Sequence, residues 1–114
     1  MAVREKMPPR EVDGACLNNI ISEEEFYGAG KLFSHITLAQ GAHVDWHVHN
    51  GVAEYYYILS GRGIYTDVDG TEKEICAGKV CTICPGDGHA IRNPYPETLE
   101  FIALIISKVN DSIG

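Results

Sequence analysis

From Lys31 to Ser107, hydrophobic and polar residues alternate in short segments that are separated by glycine, proline, asparagine and aspartate. Alternation with a period of two places successive side chains on opposite faces, which is typical of β-strands with one buried face. The segments recur about every eight to twelve residues, a spacing that predicts an all-β sandwich or barrel. No segment indicates a helix long enough to connect two parallel strands. The predicted strands cover residues 32–38, 43–49, 54–59, 63–68, 71–77, 80–84, 89–93 and 99–107.

Two dipeptides between these segments are strong signals for tight turns. Asn50-Gly51 and Asp69-Gly70 each lie between two predicted strands, and both are dipeptides that two-residue β-hairpin turns favour. The first thirty residues show the weakest pattern of the chain. Within them, Ser22 and Glu25 have the spacing of a capping box, which predicts a short helical turn.

Length and charge limit the classes of function. The chain has 114 residues, a length that predicts one domain, and its net charge is −7. This acidic balance excludes nucleic acids and anionic membranes as partners, because both require clustered lysine and arginine. The N-terminal segment lacks the apolar core of a signal peptide, and the longest apolar run, residues 101–106, is too short to span a bilayer. We therefore expect a cytoplasmic protein.

The four cysteines are expected to be reduced thiols in that compartment. Cys81 and Cys84 lie three residues apart in a predicted strand, so their side chains should leave opposite faces. This spacing argues against a shared metal ion or a local disulfide and favours two buried structural thiols. The alternative is that one of the two faces a functional pocket.

One group of residues carries metal-binding chemistry. His47 and His49 are two residues apart on a predicted strand and so share a face, and Glu54 begins the next strand. Two imidazoles and one carboxylate form the ligand set of a common transition-metal site. His89 begins another strand after a Pro/Gly loop, which makes it the candidate for a fourth donor.

The other histidines and aromatic residues have weaker signals. His43 and Asp45 share the odd-numbered alternation of His47, but we expect them to be solvated residues at the rim. Alternation places His35 on the side of its strand away from the apolar residues. Trp46 is expected to have a structural packing role. Of the three consecutive tyrosines, Tyr56 shares the face of Glu54, whereas Tyr55 and Tyr57 favour outer-sheet packing or a subunit interface.

The spacing of these residues resembles the cupin superfamily. Gly41, His47, His49, Glu54 and Gly61 match the first cupin motif, G-x5-H-x-H-x4-E-x6-G, at every fixed position. The second motif, G-x5-P-x-G-x2-H-x3-N, matches Gly78, Gly86, His89 and Asn93 and departs from the family only at Cys84, where proline is usual. The motifs span Gly41 to Asn93, and the chain is similar to small single-domain cupins that are often given the label oxalate decarboxylase or conserved barrel protein.

This resemblance implies a fold, a ligand set and a partner. It implies an all-β cupin double-stranded β-helix, or jelly-roll barrel, over residues 31–114, with residues 1–30 as an N-terminal arm. It also implies that His47, His49, Glu54 and His89 are the ligands of a divalent transition metal inside the barrel. Small cupins pair their barrels, often by exchanging N-terminal strands, so a homodimer is expected.

The chemistry at such a metal stays open at this point. Three imidazoles and a carboxylate suit Mn, Fe, Ni, Zn or Cu and leave two positions of an octahedral ion for a small-molecule ligand. Asn93 is a candidate for supporting His89 or for holding the strand end. A resemblance to oxalate decarboxylases would call for a pocket arginine, but Arg62 lies in a turn and Arg92 is out of phase with His89. A metal-dependent enzyme for a small organic acid or sugar is the first hypothesis; the alternatives are a binding or sensing module and a barrel with a structural metal.

Overall fold

The computed structural model describes residues 3–12 and 14–107, which form two antiparallel β-sheets packed face to face. The six-stranded sheet has the order β1-β2-β3-β10-β5-β8, and the four-stranded sheet has the order β4-β9-β6-β7. A short 3-10 helix, Glu23–Phe26, lies between β2 and β3. The strands are β1 Arg10–Val12, β2 Ala15–Ile21, β3 Gly30–Leu38, β4 His43–Val48, β5 Val52–Ser60, β6 Arg62–Thr66, β7 Glu72–Cys76, β8 Val80–Ile83, β9 Gly88–Arg92 and β10 Leu99–Ser107.

The predicted jelly-roll architecture is confirmed, and the predicted strands from residue 32 onward correspond to β3–β10. The sequence pattern missed β1 and β2, which lie in the segment that we assigned to an N-terminal arm. The two strands pair with each other, and β2 pairs with β3, so they extend the six-stranded sheet. Asn18 and Asn19 interrupt the apolar pattern of β2, because asparagine has low β-propensity, and a β-bulge follows them.

One of the two predicted hairpins is wrong. Asp69-Gly70 does connect the paired strands β6 and β7, and the Asp67 N–H donates to the Thr71 carbonyl across the turn. Asn50-Gly51, in contrast, connects β4 of the four-stranded sheet to β5 of the six-stranded sheet. The turn residues bend the chain as predicted, but β4 and β5 on either side of the bend pair with other strands.

The core lies between the two sheets and follows the alternation of the strands. On β5, Glu54, Tyr56 and Ile58 point inward and are buried, whereas Tyr55 and Tyr57 point outward and are exposed. This confirms the predicted division of the three tyrosines. The largest fully buried hydrophobic side chains are Phe101, Leu38, Ile58, Ile91 and Leu99.

The last glycine of the first motif is required by close packing. Gly61 joins β5 to β6 with a φ of 79°, a backbone conformation that residues with a Cβ rarely adopt. A Cβ at this position would also overlap the carbonyl oxygen of Thr98. Glycine therefore lets the β5–β6 turn lie directly against the segment that leads into β10.

Two smaller features of the chain complete the fold. The predicted capping box is present, since the Ser22 N–H donates to the Glu25 carboxylate at 3.0 Å. Ser22 is the N-cap of the 3-10 helix. Within the described residues, no helix has the length and apolar character needed to cross a membrane.

Asn93 holds one end of the sandwich together. Its side chain is 1% exposed, and its amide nitrogen donates to the carbonyl oxygens of Leu38 at 2.9 Å and Glu97 at 2.8 Å. Its amide oxygen accepts a hydrogen bond from the Tyr95 N–H at 2.9 Å. All of these contacts are with backbone groups, so Asn93 holds the end of β9 and the loop that follows.

We expect Asn93→Ala to lower the free energy of unfolding by about 2 to 4 kcal/mol, because three hydrogen bonds are lost and buried backbone groups are left without partners. Urea denaturation of the metal-free protein measures this change. Asn50→Ala, at an exposed turn position, is the control and should have a change below about 0.5 kcal/mol. Equal destabilisation by the two substitutions would contradict this role of Asn93.

Candidate metal centre

A β-bulge in β4 determines which side chains of that strand point into the barrel. Val44 lies opposite Ile91 and His47 lies opposite His89, so two residues of β4 face one residue of β9 between these pairs. The extra residue reverses the alternation. Val44 and His47 therefore both point inward, although they are three residues apart.

This bulge corrects one sequence expectation. His43 and Asp45 do not share the face of His47, because the reversal places them on the outer side of the strand. They are solvated, as we expected, and His43 Nδ1 lies 2.7 Å from the Asp45 carboxylate. His35 also lies outside the barrel, where its Nε2 is 2.9 Å from Glu100 Oε1.

Trp46, the other bulge residue, packs on the outer surface of the four-stranded sheet. Its indole ring covers Gly88, and a Cβ at Gly88 would overlap the ring. Gly88 directly precedes His89, so this close approach holds the bulge of β4 against the start of β9. The structural packing role predicted for Trp46 is present, although about half of the side chain is exposed.

The structure brings together the four residues that the motifs single out. His47 and His89 come from neighbouring strands of the four-stranded sheet, His49 follows β4, and Glu54 projects from the six-stranded sheet. One potential ligand atom from each residue lies within 4.8 Å of the others. Glu54 Oε1 is 2.8 Å from His49 Nε2 and 2.9 Å from His89 Nε2. This cluster is able to hold one metal ion.

The surroundings of Glu54 fit such an ion. Its Oε1 atom is buried and, within the described residues, receives no hydrogen bond of acceptable geometry, although two imidazole nitrogens are within 3 Å. A buried carboxylate oxygen without a donor is costly, and a cation between the carboxylate and the imidazoles would remove that cost. Burial also lowers the pKa of His49, so its imidazole is neutral and offers a lone pair.

Two of the imidazole rings, those of His47 and His89, are oriented by hydrogen bonds at Nδ1. His47 Nδ1 lies 2.9 Å from the carbonyl oxygen of Asp45, in the bulge. If Nδ1 carries the proton and donates it to this carbonyl, the lone pair of Nε2 is free for a metal. His89 Nδ1 lies 3.2 Å from the hydroxyl of Tyr65, which is buried.

Sequence reasoning missed Tyr65 as a residue of the site. The only signal was its inward position in β6, two residues after Gly63, and many core tyrosines have that signal. Burial raises the pKa of the Tyr65 hydroxyl, so it remains a neutral hydrogen-bonding partner for His89. Asn93, our sequence candidate for this supporting role, bonds to backbone groups instead.

A cavity of about 170 Å³ opens beside the donor cluster. His47, His49 and Glu54 form one side of it, and Tyr56 contributes the only hydroxyl among the described lining residues. The other side is aliphatic and comes from five strands of both sheets, including the β1–β2 pair. The aliphatic lining residues are Val12, Ala15, Leu17, Leu32, Ile36, Val44 and Ile105.

The cysteines and arginines that the sequence offered as candidate pocket residues do not line this cavity. Cys81 is buried and Cys84 is exposed, so the two thiols leave opposite faces as expected, but only one of them is a buried thiol. Burial raises the pKa of Cys81 to about 11. Arg62 lies over the ring of Tyr95, 4.0 Å from its centroid, and Arg92 pairs with Glu72 at 3.1 Å on the surface.

Comparison with known proteins agrees with this architecture. The family model described as Cupin domain matches residues 34–105. The chain belongs to the cupin family. The cupin is 39% identical over 88 residues to a protein of Thermotoga maritima named oxalate-binding protein, a match that covers 77% of this chain and 72% of the relative.

Solved structures show the same fold. A crystal structure from Thermotoga maritima, described as a predicted oxalate decarboxylase, superposes with a TM-score of 0.85 at 34% identity and covers 94% of this chain and 99% of that chain. A sugar phosphate isomerase of the cupin superfamily from Silicibacter pomeroyi superposes with a TM-score of 0.71 at 19% identity, over 84% of this chain and 61% of that chain. The second similarity shows the fold alone.

We expect Tyr65→Phe to weaken binding of a divalent transition metal by about tenfold, because His89 loses the partner that orients its ring. Competition with a metal chelator measures the affinity. Tyr95→Phe, which removes an exposed hydroxyl bonded to Glu74, is the matched control and should leave the affinity unchanged. The same affinity in Tyr65→Phe and in the unsubstituted cupin would rule out the proposed support of His89.

Proposed function

We propose that His47, His49, Glu54 and His89 hold one divalent transition-metal ion (Mn, Fe, Ni, Zn or Cu), and that the cupin uses it to bind a small organic acid. The observation that carries this proposal is the position of the donor cluster at one side of a small cavity. A metal ion held there supplies a Lewis-acidic point for oxygen ligands. The relative named oxalate-binding protein supports an organic acid as the ligand.

The lining of the cavity favours binding over acid–base catalysis. General acid–base catalysis needs a titratable group that can exchange a proton with the bound molecule. Apart from the proposed metal donors, Tyr56 is the only ionisable residue among the described lining residues. Burial and the nearby Glu54 raise its pKa well above the usual value, so it stays protonated. Tyr56 can therefore donate a hydrogen bond to a bound oxygen, but it is a poor proton-transfer group at neutral pH.

A metal-dependent enzyme is the second candidate function, and the Tyr56 hydroxyl beside the cluster is the observation that favours it. In this function Tyr56 would hydrogen-bond to a substrate oxygen while the metal acted as Lewis acid or redox centre. Incubation of the metal-loaded cupin with small organic acids, followed by chromatography of the products, distinguishes turnover from binding.

The metal proposal predicts that His47→Ala and His89→Ala reduce the metal content of the purified cupin from about one ion per chain by at least tenfold, since each removes a donor of a four-donor site. Elemental analysis measures this content. His43→Ala and His35→Ala are matched controls, because both histidines lie outside the barrel. Unchanged metal content in the His47 and His89 variants would exclude this assignment of ligands.

The same variants test the role of the metal in binding. Calorimetric titration with oxalate and with pyruvate should give binding to the metal-loaded cupin and none to His47→Ala. Binding that persists without metal would contradict the proposed function.

The outer face of the six-stranded sheet supports the expected homodimer. Tyr55, Tyr57 and Leu59 project from β5 and are 37%, 49% and 42% exposed, and Val80 of β8 lies opposite Tyr57. Adjacent exposed apolar side chains of this kind are typical of protein interfaces. We propose that two copies pair through this face.

All four cysteines are free thiols, which supports the proposed cytoplasmic location.

We expect light scattering at micromolar concentration to give about twice the chain mass of 12.5 kDa. Tyr57→Glu should shift the population toward monomer, because a carboxylate would be buried in the apolar interface. Tyr27→Glu, at a residue that is 93% exposed on another part of the surface, is the control. A mass of 12.5 kDa for the unsubstituted cupin would contradict the homodimer.

A further inference from the structure

The aliphatic side of the cavity restricts the kind of acid that it can hold. Leu17, Leu32, Ile36 and Ile105 come from three strands of the six-stranded sheet, which also carries Glu54. Neither lysine nor arginine occurs among the described lining residues. A charged group directed at this side would lose its hydration without gaining a partner, which is costly.

Charge balance points in the same direction. A divalent ion beside one carboxylate, Glu54, and three neutral imidazoles leaves a single positive charge at the site. A monocarboxylate ligand neutralises that charge, whereas a dicarboxylate leaves a net negative charge in a buried apolar setting. The net charge of −7 on the whole chain adds to the repulsion of a second carboxylate.

Oxalate and 2-oxo monocarboxylic acids can each chelate one metal ion through oxygens on adjacent carbons. In oxalate, the groups that remain after chelation are two further oxygens, and both carboxylates are charged. In a 2-oxo monocarboxylic acid, the keto oxygen and one carboxylate oxygen chelate, and the rest of the molecule is a hydrocarbon chain. The aliphatic residues of the cavity match that chain.

We infer that the ligand of this cupin is a 2-oxo monocarboxylic acid with a short aliphatic chain, which packs against Leu17, Leu32, Ile36 and Ile105. This inference rests on the proposed function and names its ligand class. The volume of about 170 Å³ equals that of five or six water molecules at about 30 Å³ each. The cavity therefore holds the chelating group and a chain of only a few carbons.

One residue of β1 marks the opening of the cavity. Val12 lines the cavity and is 39% exposed, so it lies at the opening. Arg10 is two residues earlier on β1, on the same face, and its exposed side chain does not line the cavity. Arg10 can attract an anion toward the opening, but it leaves the aliphatic interior uncharged.

The test is calorimetric titration of the Ni(II)-loaded cupin with glyoxylate, pyruvate, 2-oxobutanoate and oxalate. We expect the affinity to increase about fourfold for each added carbon from glyoxylate to 2-oxobutanoate, which corresponds to about 0.8 kcal/mol per buried methylene group. Aqueous Ni(II) is titrated with the same acids as the reference, because oxalate is intrinsically a strong chelator. Relative to that reference, the cupin should favour 2-oxobutanoate over oxalate by at least tenfold.

A charge placed at the opening provides an independent test. Val12→Arg should raise the affinity for oxalate relative to 2-oxobutanoate by at least tenfold, because the guanidinium supplies a partner for the second carboxylate. Val68→Arg is the matched control, since Val68 is 52% exposed and lies outside the cavity. It should leave the ratio of the two affinities unchanged.

Several outcomes would overturn the inference. Equal affinities along the chain-length series would exclude packing of the chain against the aliphatic residues. A preference for oxalate equal to that of aqueous Ni(II), or oxalate binding that Arg10→Gln abolishes, would show that the site accommodates a dicarboxylate. In these cases the proposed binding of an organic acid would stand. If none of the four acids bound to the Ni(II)-loaded cupin, the proposed function itself would be refuted.

Discussion

The buried carboxylate of Glu54 is the group on which the architecture of the site depends. It projects from the six-stranded sheet toward His47 and His89 of the four-stranded sheet, and it is 3% exposed. A carboxylate at this depth is stable only when a positive charge or several donors compensate it. A cation at the cluster would meet that need and would also link the two sheets. Metal binding and closure of the sandwich would therefore be coupled, because an ion that binds only the folded chain adds its binding free energy to the stability of the fold.

The geometry of the imidazoles depends on an irregularity in the sheet. A regular strand would place His43, Asp45 and His47 on one face, but the bulge in β4 directs only His47 inward. The same bulge supplies the Asp45 carbonyl that lies beside His47 Nδ1. Trp46 and Gly88 pack together on the outside, so the bulge is held against the strand that begins with His89. One local distortion thus sets the direction of the His47 side chain and places a carbonyl oxygen beside its second ring nitrogen.

The N-terminal strands extend the site beyond the motif residues. Val12, Ala15 and Leu17 belong to β1 and β2, and they form part of the aliphatic side of the cavity. The donor cluster and its surroundings therefore come from different parts of the chain. The donor cluster is able to hold a metal ion, and in our proposal the aliphatic residues select the molecule that binds beside it. This separation is consistent with the range of activities that one fold supports in different relatives.

The sequence by itself determined the all-β architecture and singled out the four residues of the candidate donor cluster. Alternation with a period of two and the turn residues are local properties. They sufficed to predict strands β3–β10 and the inward direction of Tyr56 between Tyr55 and Tyr57. The spacing of His47, His49, Glu54 and His89 was informative because a metal cluster needs donors of defined chemical type on neighbouring elements.

Only the tertiary structure decided which strands pair and what surrounds the donors. Asn50-Gly51 bends the chain in any fold, but long-range pairing places the strands on either side of it in different sheets. The bulge that reverses the alternation of β4 depends on its register with β9. The contact of Tyr65 with His89 and the aliphatic residues around the cavity likewise join positions far apart in the chain. Such contacts leave no local pattern, since they arise from the packing of two sheets and not from the period of any one strand.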